Sequence, residues 1–345
     1  MAVGSGHALL ERQLLDRSDH RVEQTVDAIA GLNAQTPRGP SVGLWSRVHG
    51  FRQESLDECL RDYRLVKANL MRGTVHLVTA DQFRTWRSAL QPALRRTVRQ
   101  FCPRLHLDTD IDAVVSKGME LLARTDNGLT RAELARQLAP SFDADPQHCA
   151  FAVRLLAPVV QVADPSVWKP GHTRYILAES VLGPLAGPVD QDSETGLANL
   201  LMAYLRAFGP ATAVAATYWS GRTRLGHALT AIPGVSTSGK GAAVRFDIAD
   251  GDRRPPRRCF ALPEYDNIFF AHKQNAFTAA KKRLIYTRSA HMHGSLLVED
   301  QVVAAWRRES GSDDLTLLPW ADELPDEAVA EFEGLRAFYA SASAG

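Results

Sequence analysis

Two amides one residue apart, Asn33 and Gln35 in GLNAQTPRGP, are the side chains best suited by type and spacing to cofactor-free chemistry. An amide carbonyl offers a partial negative charge and accepts a hydrogen bond from water, but it is a poor general base. If the segment is extended, the period of two places both amides on one side. As local structure alone, the same residues read as a cap and a turn, since Asn is common just past a helix and Thr36-Pro37 forces an extended or turning path. Other constellations are missing: the sequence has no Gly-rich phosphate loop, no HExxH and no GxSxG. His291 and His293 in HMHGS alternate onto one strand face with no third ligand nearby, which suits structural or phosphate-contacting histidines better than a metal. Cys59, Cys102, Cys149 and Cys259 are scattered without a CxxC pair, which argues against a disulfide framework and a structural zinc. No metal and no cofactor are expected.

These side chains need a scaffold, and length and composition bound it. At about 150 residues per domain, 345 residues suggest two or three units. A chain 45% hydrophobic and 23% charged is ordinary globular material. No apolar run reaches membrane-spanning length and the first twenty residues lack the apolar core of a secretory signal, so a cytoplasmic, nucleoid-associated protein is expected. The net charge of +1 hides a segregation. From Arg38 to Arg104 the balance is +8, from Arg253 to Arg288 it is +7, and from Glu309 to Gly345 it is −8. Thirty-three of the 40 basic residues are Arg, the side chain that grips phosphate in a bidentate fork. A GC-rich genome also inflates Arg, but it does not cluster it; the clustering points to an anionic polymer.

Periodicity gives an α+β chain. Helices over 20–29 and 56–65 precede a strand pair around Arg72-Gly73. A helix over 111–123 is followed by one capped at Thr130 with Glu133 three residues on, then by a helix over 147–157 and two strands. A helix over 197–208, an N-cap at Thr212, a turn at Ser220-Gly221 and a helix over 222–231 repeat the theme. From residue 243 short strands take over and a helix over 326–339 closes the chain. The expected architecture is three tandem winged helix-turn-helix units, over 1–104, 105–190 and 191–242, followed by a small C-terminal β-barrel over 243–345.

The blocks GLNAQTPRGPSVGLWSRV, LMRGTVHLVTADQF, LTRAELARQLA, GPATAVAATYWSG, LPEYDNIFFAHKQ and GSLLVEDQVVAAWRR together resemble the winged-helix DNA glycosylase family. That family includes bacterial enzymes that unhook interstrand crosslinks and protect producers of DNA-alkylating antibiotics. The resemblance spans roughly residues 5 to 340 in order, and it implies the same tandem fold with a concave DNA-binding surface. The family's catalytic signature is Gln, an apolar residue, then Gln or Asp. Gln35 falls on the last position and Asn33 on the first, where Gln is usual and Asn is a methylene shorter.

The resemblance implies a DNA glycosylase that repairs duplex DNA, working as a monomer without metal or cofactor. Its expected targets are bulky N7-alkylguanine adducts or crosslinked purines. Alkylation at N7 makes the purine cationic and a good leaving group, so stabilising the sugar's oxocarbenium character and placing a water suffice. Gln35 is expected to place the water, and Asn33 to orient Gln35 or contact the deoxyribose. Arg38, Arg47, Arg72 and His76 are candidate phosphate clamps, with Lys281, Lys282 and Arg283 as a second clamp. Tyr265, Asp266 and His272 are further candidates, although Asp266 also reads as a turn cap and Tyr265 as a packed residue with its hydroxyl paired. A catalytically silent DNA-binding protein or transcription regulator is the alternative, favoured by Asn33; a scaffold meeting an acidic protein is a third.

Overall fold

The amide segment begins where a helix is made to stop. Helix α1 (Gly6–Leu10) precedes α2 (Val22–Ala28), and α2 ends in a Schellman motif. The N–H of Gly31 donates to the Val26 carbonyl at 2.8 Å and that of Ala30 to Asp27 at 3.2 Å. Gly31 has φ +84 and a Cβ there would sit 2.9 Å from the Leu77 carbonyl oxygen, so only glycine fits. The turn delivers β1 (Leu32–Asn33), followed by α3 (Gly39–Trp45), α4 (Gln53–Arg61), β2 (Leu65–Asn69) and β3 (Val75–Thr79). The three strands form an antiparallel sheet in the order β1-β3-β2, with Leu32 opposite Leu77 and Asn33 opposite His76.

The computed structural model describes residues 6–163, 173–185, 192–249, 253–272, 285–287, 291–309, 311–320 and 323–344. After the first sheet come α5 (Ala80–Phe101), α6 (Pro103–Asp108), α7 (Ile111–Ala123), β4 (Leu129–Thr130), α8 (Arg131–Leu138), α9 (Pro146–Leu156), β5 (Val159–Gln161), β6 (Arg174–Leu177) and α10 (Ala178–Leu182). The second sheet again has its last strand in the middle, β4-β6-β5. Next are α11 (Glu194–Phe208), α12 (Ala213–Ser220), α13 (Gly226–Thr230), β7 (Val235–Ser238) and β8 (Arg245–Ile248), with Ala211 bridging Phe246 of β8. Helix, short extended stretch, two helices and two strands thus recur three times. Two expected N-caps are in place: Thr130 accepts from Glu133 N in a full capping box, and Thr212 accepts from Ala215 N.

The joints are arginines. Arg87, wholly buried in α5, donates to the carbonyls of Leu155, Leu156 and Ala157 and to Gln91. Those carbonyls end α9 without helical partners, so the guanidinium satisfies them and welds the two helices. Arg12 ties down the end of α11, donating to the carbonyls of Leu205 at 2.8 Å and Arg206 at 3.2 Å. Around these joints Phe83, Trp86, Leu90, Leu94 and Val98 form the buried stripe of α5 within the principal core.

The C-terminal region departs from the expected barrel. Strands β9 (Cys259–Leu262), β10 (Gly294–Val298), β11 (Gln301–Arg308) and β12 (Leu315–Pro319) make an open antiparallel sheet, β12-β11-β10-β9. Among the described residues β9 and β12 do not pair, so the sheet is not closed. Its apolar face is covered by α14 (Asp326–Ala344), which packs Ala328, Phe332, Leu335 and Tyr339 against Ala261, Leu296, Ala304 and Trp306. Covering one face with a helix removes the drive to curl the sheet shut. The same helix reaches the first unit, where Phe338 stacks on Trp45 at 6.0 Å. Among the described residues no helix is long and apolar enough to cross a membrane.

Candidate active site

The amide pair is built by β1 and the turn that follows it. Leu32 and Asn33 are buried, Ala34 is half-buried and Gln35 is exposed. Ala34 N donates to the Val75 carbonyl at 2.8 Å, the last rung of the ladder. Beyond it the two amides bind each other: Asn33 Nδ2 donates to Gln35 Oε1 at 2.9 Å, and Gln35 N donates to Asn33 Oδ1 at 3.0 Å. Asn33 therefore holds Gln35 at both its backbone and its side chain. The shorter amide suits this arrangement, because an Asn side chain reaches its own backbone two residues on. Gln35 carries one further acceptor site and its NH2 donors towards solvent.

A second segment backs this turn. The loop after β9, Pro263-Glu264-Tyr265-Asp266, is pinned by the side chain of Asn267, which donates to the Gly31 carbonyl at 2.6 Å. An ideal Cβ on Gly39 would lie 2.8 Å from Thr36 Oγ1, 3.6 Å from the Asn33 carbonyl oxygen and 3.9 Å from that of Glu264. The two segments thus meet over a glycine with no room for a side chain. Burial raises the Glu264 carboxyl above the ordinary range, against the Thr36 hydroxyl, His291, Arg308 and Arg38, which favour the ionised form. Tyr265 has φ +58 and its hydroxyl meets His291 Nδ1 at 3.2 Å. His291 Nε2 stands 4.0 Å from Glu264 Oε1, an ion-pair distance rather than a hydrogen bond.

Several expected phosphate contacts are instead internal. Arg47 is wholly buried and pairs bidentately with Asp266, both contacts being 3.0 Å. It also donates to the carbonyls of Gln13 and Gly43. Asp266, 1% exposed, in turn accepts from Ile268 N. Neither side chain has surface to offer DNA; together they lock the Glu264 loop onto α3. His76 is likewise buried, with Nδ1 bonded to the Thr74 carbonyl at 2.9 Å and Nε2 without a partner. Burial, then the charge of Arg72, push this imidazole down to about 3 despite Thr74. His272 is half-buried and lowered to about 4, chiefly by burial. Arg38 pairs with Asp313 at 2.5 Å and lies over the Tyr339 ring. Arg72, at φ +56, donates to the Trp219 carbonyl and faces the Phe270 ring. Burial lowers its guanidinium to about 10, against Tyr218 and Tyr286, so it stays charged at neutral pH. Lys281, Lys282 and Arg283 lie outside the described residues.

Four arginines of the second basic segment have carboxylate partners within the protein. Arg253 pairs with Asp247, Arg254 with Asp16, Arg257 with Glu331 and Arg258 with Glu327. Two of these four partners, Glu327 and Glu331, belong to the acidic C-terminal stretch. One basic groove escapes the sequence reading: Arg72, Arg96 and Arg99 line an opening of about 620 Å³ beside Gln100, Phe101 and Gly221. Arg96 and Arg99 are exposed, and Phe101 is 64% exposed. Consecutive turns of α5 placed them together, a signal present in RRTVRQF but hidden because that helix was not expected.

A comparison with protein families adds a decisive observation. The DNA glycosylase AlkZ-like family matches residues 26–338, nearly the whole chain. The chain belongs to that family. A comparison with curated proteins gives no match. Among solved structures, DNA glycosylase AlkZ of Streptomyces sahachiroi is similar in fold, with a TM-score of 0.77 at 19% identity, covering 98% of this chain and 95% of that one. Membership of the AlkZ-like family implies a hydrolase of glycosyl bonds with DNA as its substrate. The matched span of this AlkZ-like chain includes both the amide turn and the Glu264 loop. Among its described residues no three His, Cys, Asp or Glu converge as a metal site.

Proposed function

We propose that this AlkZ-like protein hydrolyses the N-glycosidic bond of bulky N7-alkylguanine adducts or interstrand crosslinks in duplex DNA. The observation that carries the reading is the exposed Gln35 held by Asn33 at 2.9 Å on a surface turn. A positioned neutral amide can align a water and face a developing oxocarbenium ion, but it cannot drive off an ordinary base. An alkylated, cationic purine leaves without an acid, which matches this modest equipment. Because Gln35 is exposed on a turn, with the buried Asn33 behind it, a base tied to the opposite strand need not be fully extruded.

On this reading the three repeated units are winged helices that hold the duplex. The exposed Arg96 and Arg99 supply phosphate contacts, and Tyr265 and Arg38 sit behind the amide turn. The departure from Gln at position 33 favours a catalytically silent DNA-binding protein as the second reading. Base release separates the two. Duplexes carrying defined N7 adducts are incubated with the protein and freed bases are identified by mass. Wild-type protein is expected to release the adducted guanine, and Gln35→Ala to lose about 10²–10³-fold in single-turnover rate with DNA affinity retained. Unchanged release by Gln35→Ala would remove this residue from the mechanism.

A further inference from the structure

Phe101, the last residue of α5, is at 64% the most exposed large apolar side chain among the described residues. It leans on the half-buried Phe151, with ring centroids 6.2 Å apart and planes tilted by 60°, and that contact covers little of it. It borders the groove of about 620 Å³ that Arg96, Arg99 and Gln100 also line, a size within the range of about 300–1,000 Å³ usual for ligand sites. Three parts of the chain make the walls: the last turns of α5, Arg72 in the turn between β2 and β3, and Gly221 at the end of α12. An ideal Cβ on Gly73 would fall 2.9 Å from Thr97 Cγ2, so glycine lets the β2–β3 turn close on α5.

The groove is positive by construction. Among the described residues no carboxylate lines it. Arg72 donates to the Trp219 carbonyl and Arg96 to that of Gly221, which fixes both against the end of α12. Arg99 also borders a neighbouring hollow that holds Asp110 and Asp112, but both acids are engaged: Asp112 pairs with Arg95 at 2.6 Å, and Asp110 caps α7. Arg96, Arg99 and Gln100 are exposed, and Arg96 and Arg99 lie one turn apart on α5, with about 5–6 Å between Cβ atoms. A basic residue in the last turn complements the helix dipole, which accounts for Arg99 alone. It does not account for an aromatic ring left in water beside it.

Resting on the DNA-binding part of the reading above, we propose that this groove binds an unpaired DNA strand, with Arg96 and Arg99 on its phosphates and Phe101 stacked on a base. Inside a duplex each base is covered above and below by its neighbours, so a ring at the rim of a basic groove finds a flat partner only where the strand is unpaired. Cationic side chains that follow the backbone, joined to an aromatic ring that takes any base, make a contact indifferent to sequence. The Gln100 amide, exposed beside the ring, can bond a base edge that pairing no longer occupies. DNA that is frayed or gapped is thereby held more tightly than intact duplex.

The test is equilibrium binding of the full chain to an undamaged blunt duplex and to the same duplex bearing a single-stranded tail of about ten nucleotides. Wild-type protein is expected to bind the tailed duplex roughly ten-fold more tightly. Phe101→Leu, which keeps apolar bulk but not the flat ring, is expected to lose that gain while blunt-duplex affinity stays within about two-fold and thermal melting is unchanged. Phe101→Trp is expected to keep the gain, and Arg99→Gln to lower the salt slope for the tail by about 0.7. Equal wild-type affinity for the two duplexes, or an undiminished gain in Phe101→Leu, overturns the proposal. So does a Phe101→Leu protein that keeps the gain but no longer self-associates, since the ring would then serve contact between copies. The DNA is undamaged, so failure to release an adducted base overturns the glycosylase reading and leaves this result standing, whereas a missing tail effect in a protein that does release the base overturns this proposal alone.

Discussion

Arg47 separates two roles that a basic residue can play, and the structure sets the size of the difference. Its guanidinium is wholly buried, makes two 3.0 Å contacts with a carboxylate that is itself buried, and caps two backbone carbonyls. Arg47→Met keeps the length and apolar bulk of the side chain but leaves Asp266 as an uncompensated buried charge. Breaking such a pair costs about 3–5 kcal/mol, a large share of the roughly 5–15 kcal/mol that stabilises a domain. Removing the second charge as well, in Arg47→Met with Asp266→Asn, is expected to recover part of that loss, because Asn can still accept from Ile268 N. Denaturant unfolding of the wild type and the two variants measures these differences. In parallel, DNA affinity is measured over a range of salt. A phosphate clamp lost from the surface lowers the slope of log affinity against log salt by about 0.9, whereas a buried strut leaves it unchanged. Arg47→Met with wild-type stability and a slope shallower by one contact would refute the assignment.

Two further outcomes are expected. His76 is held near 3 in the folded protein against 6.5 in the open chain, so below about pH 6.5 the unfolded state takes up a proton that the native state refuses. Stability should therefore fall as the pH drops from about 6.5 towards 3, and His76→Phe should flatten that decline in pH-dependent unfolding; an unaltered slope would place the imidazole in water. Asn33→Gln restores the residue usual in the family and is expected to keep or raise release of N7-methylguanine. A loss beyond ten-fold in that assay would show that the short Asn33–Gln35 pairing is itself required.

What the sequence made legible follows from how local each feature is. The caps at Thr130 and Thr212, the helix over 111–123 and the end of α2 before Leu32 are fixed by neighbours within a few residues. Asn33 and Gln35 do meet, but through a turn and not an extended segment: the strand ends at Asn33, whose Oδ1 accepts from Gln35 N. Helix α3 was missed because GPSVGLW holds two glycines and a proline; packing of Val42 and Leu44 makes it a helix, not propensity. Helix α5 was missed although Thr79 and Gln82 form a capping box at its start, since Pro92 lies inside it. The expected barrel failed on a property of the whole sheet, whether its first and last strands meet, which no strand pattern carries. Charge clusters misled for the same reason: Arg257 and Glu331 are remote in the chain and adjacent in space. The nearness of Glu264 to the amide turn was invisible because only the tertiary fold brings LPEYDN against the turn after β1.

The seating of α14 decides how the molecule looks to a polyanion. Glu331 takes up Arg17 and Arg257, and Glu327 takes up Arg258. A chain shortened ahead of Asp326 would strip the apolar cover from the last sheet and, in the same stroke, take from Arg17 and Arg257 the carboxylate they share and leave Arg258 only Glu299. Such a fragment would cling to nucleic acid of any sequence or condition, so tight retention on a DNA column would signal loss of the closing helix and not recognition of a damaged base.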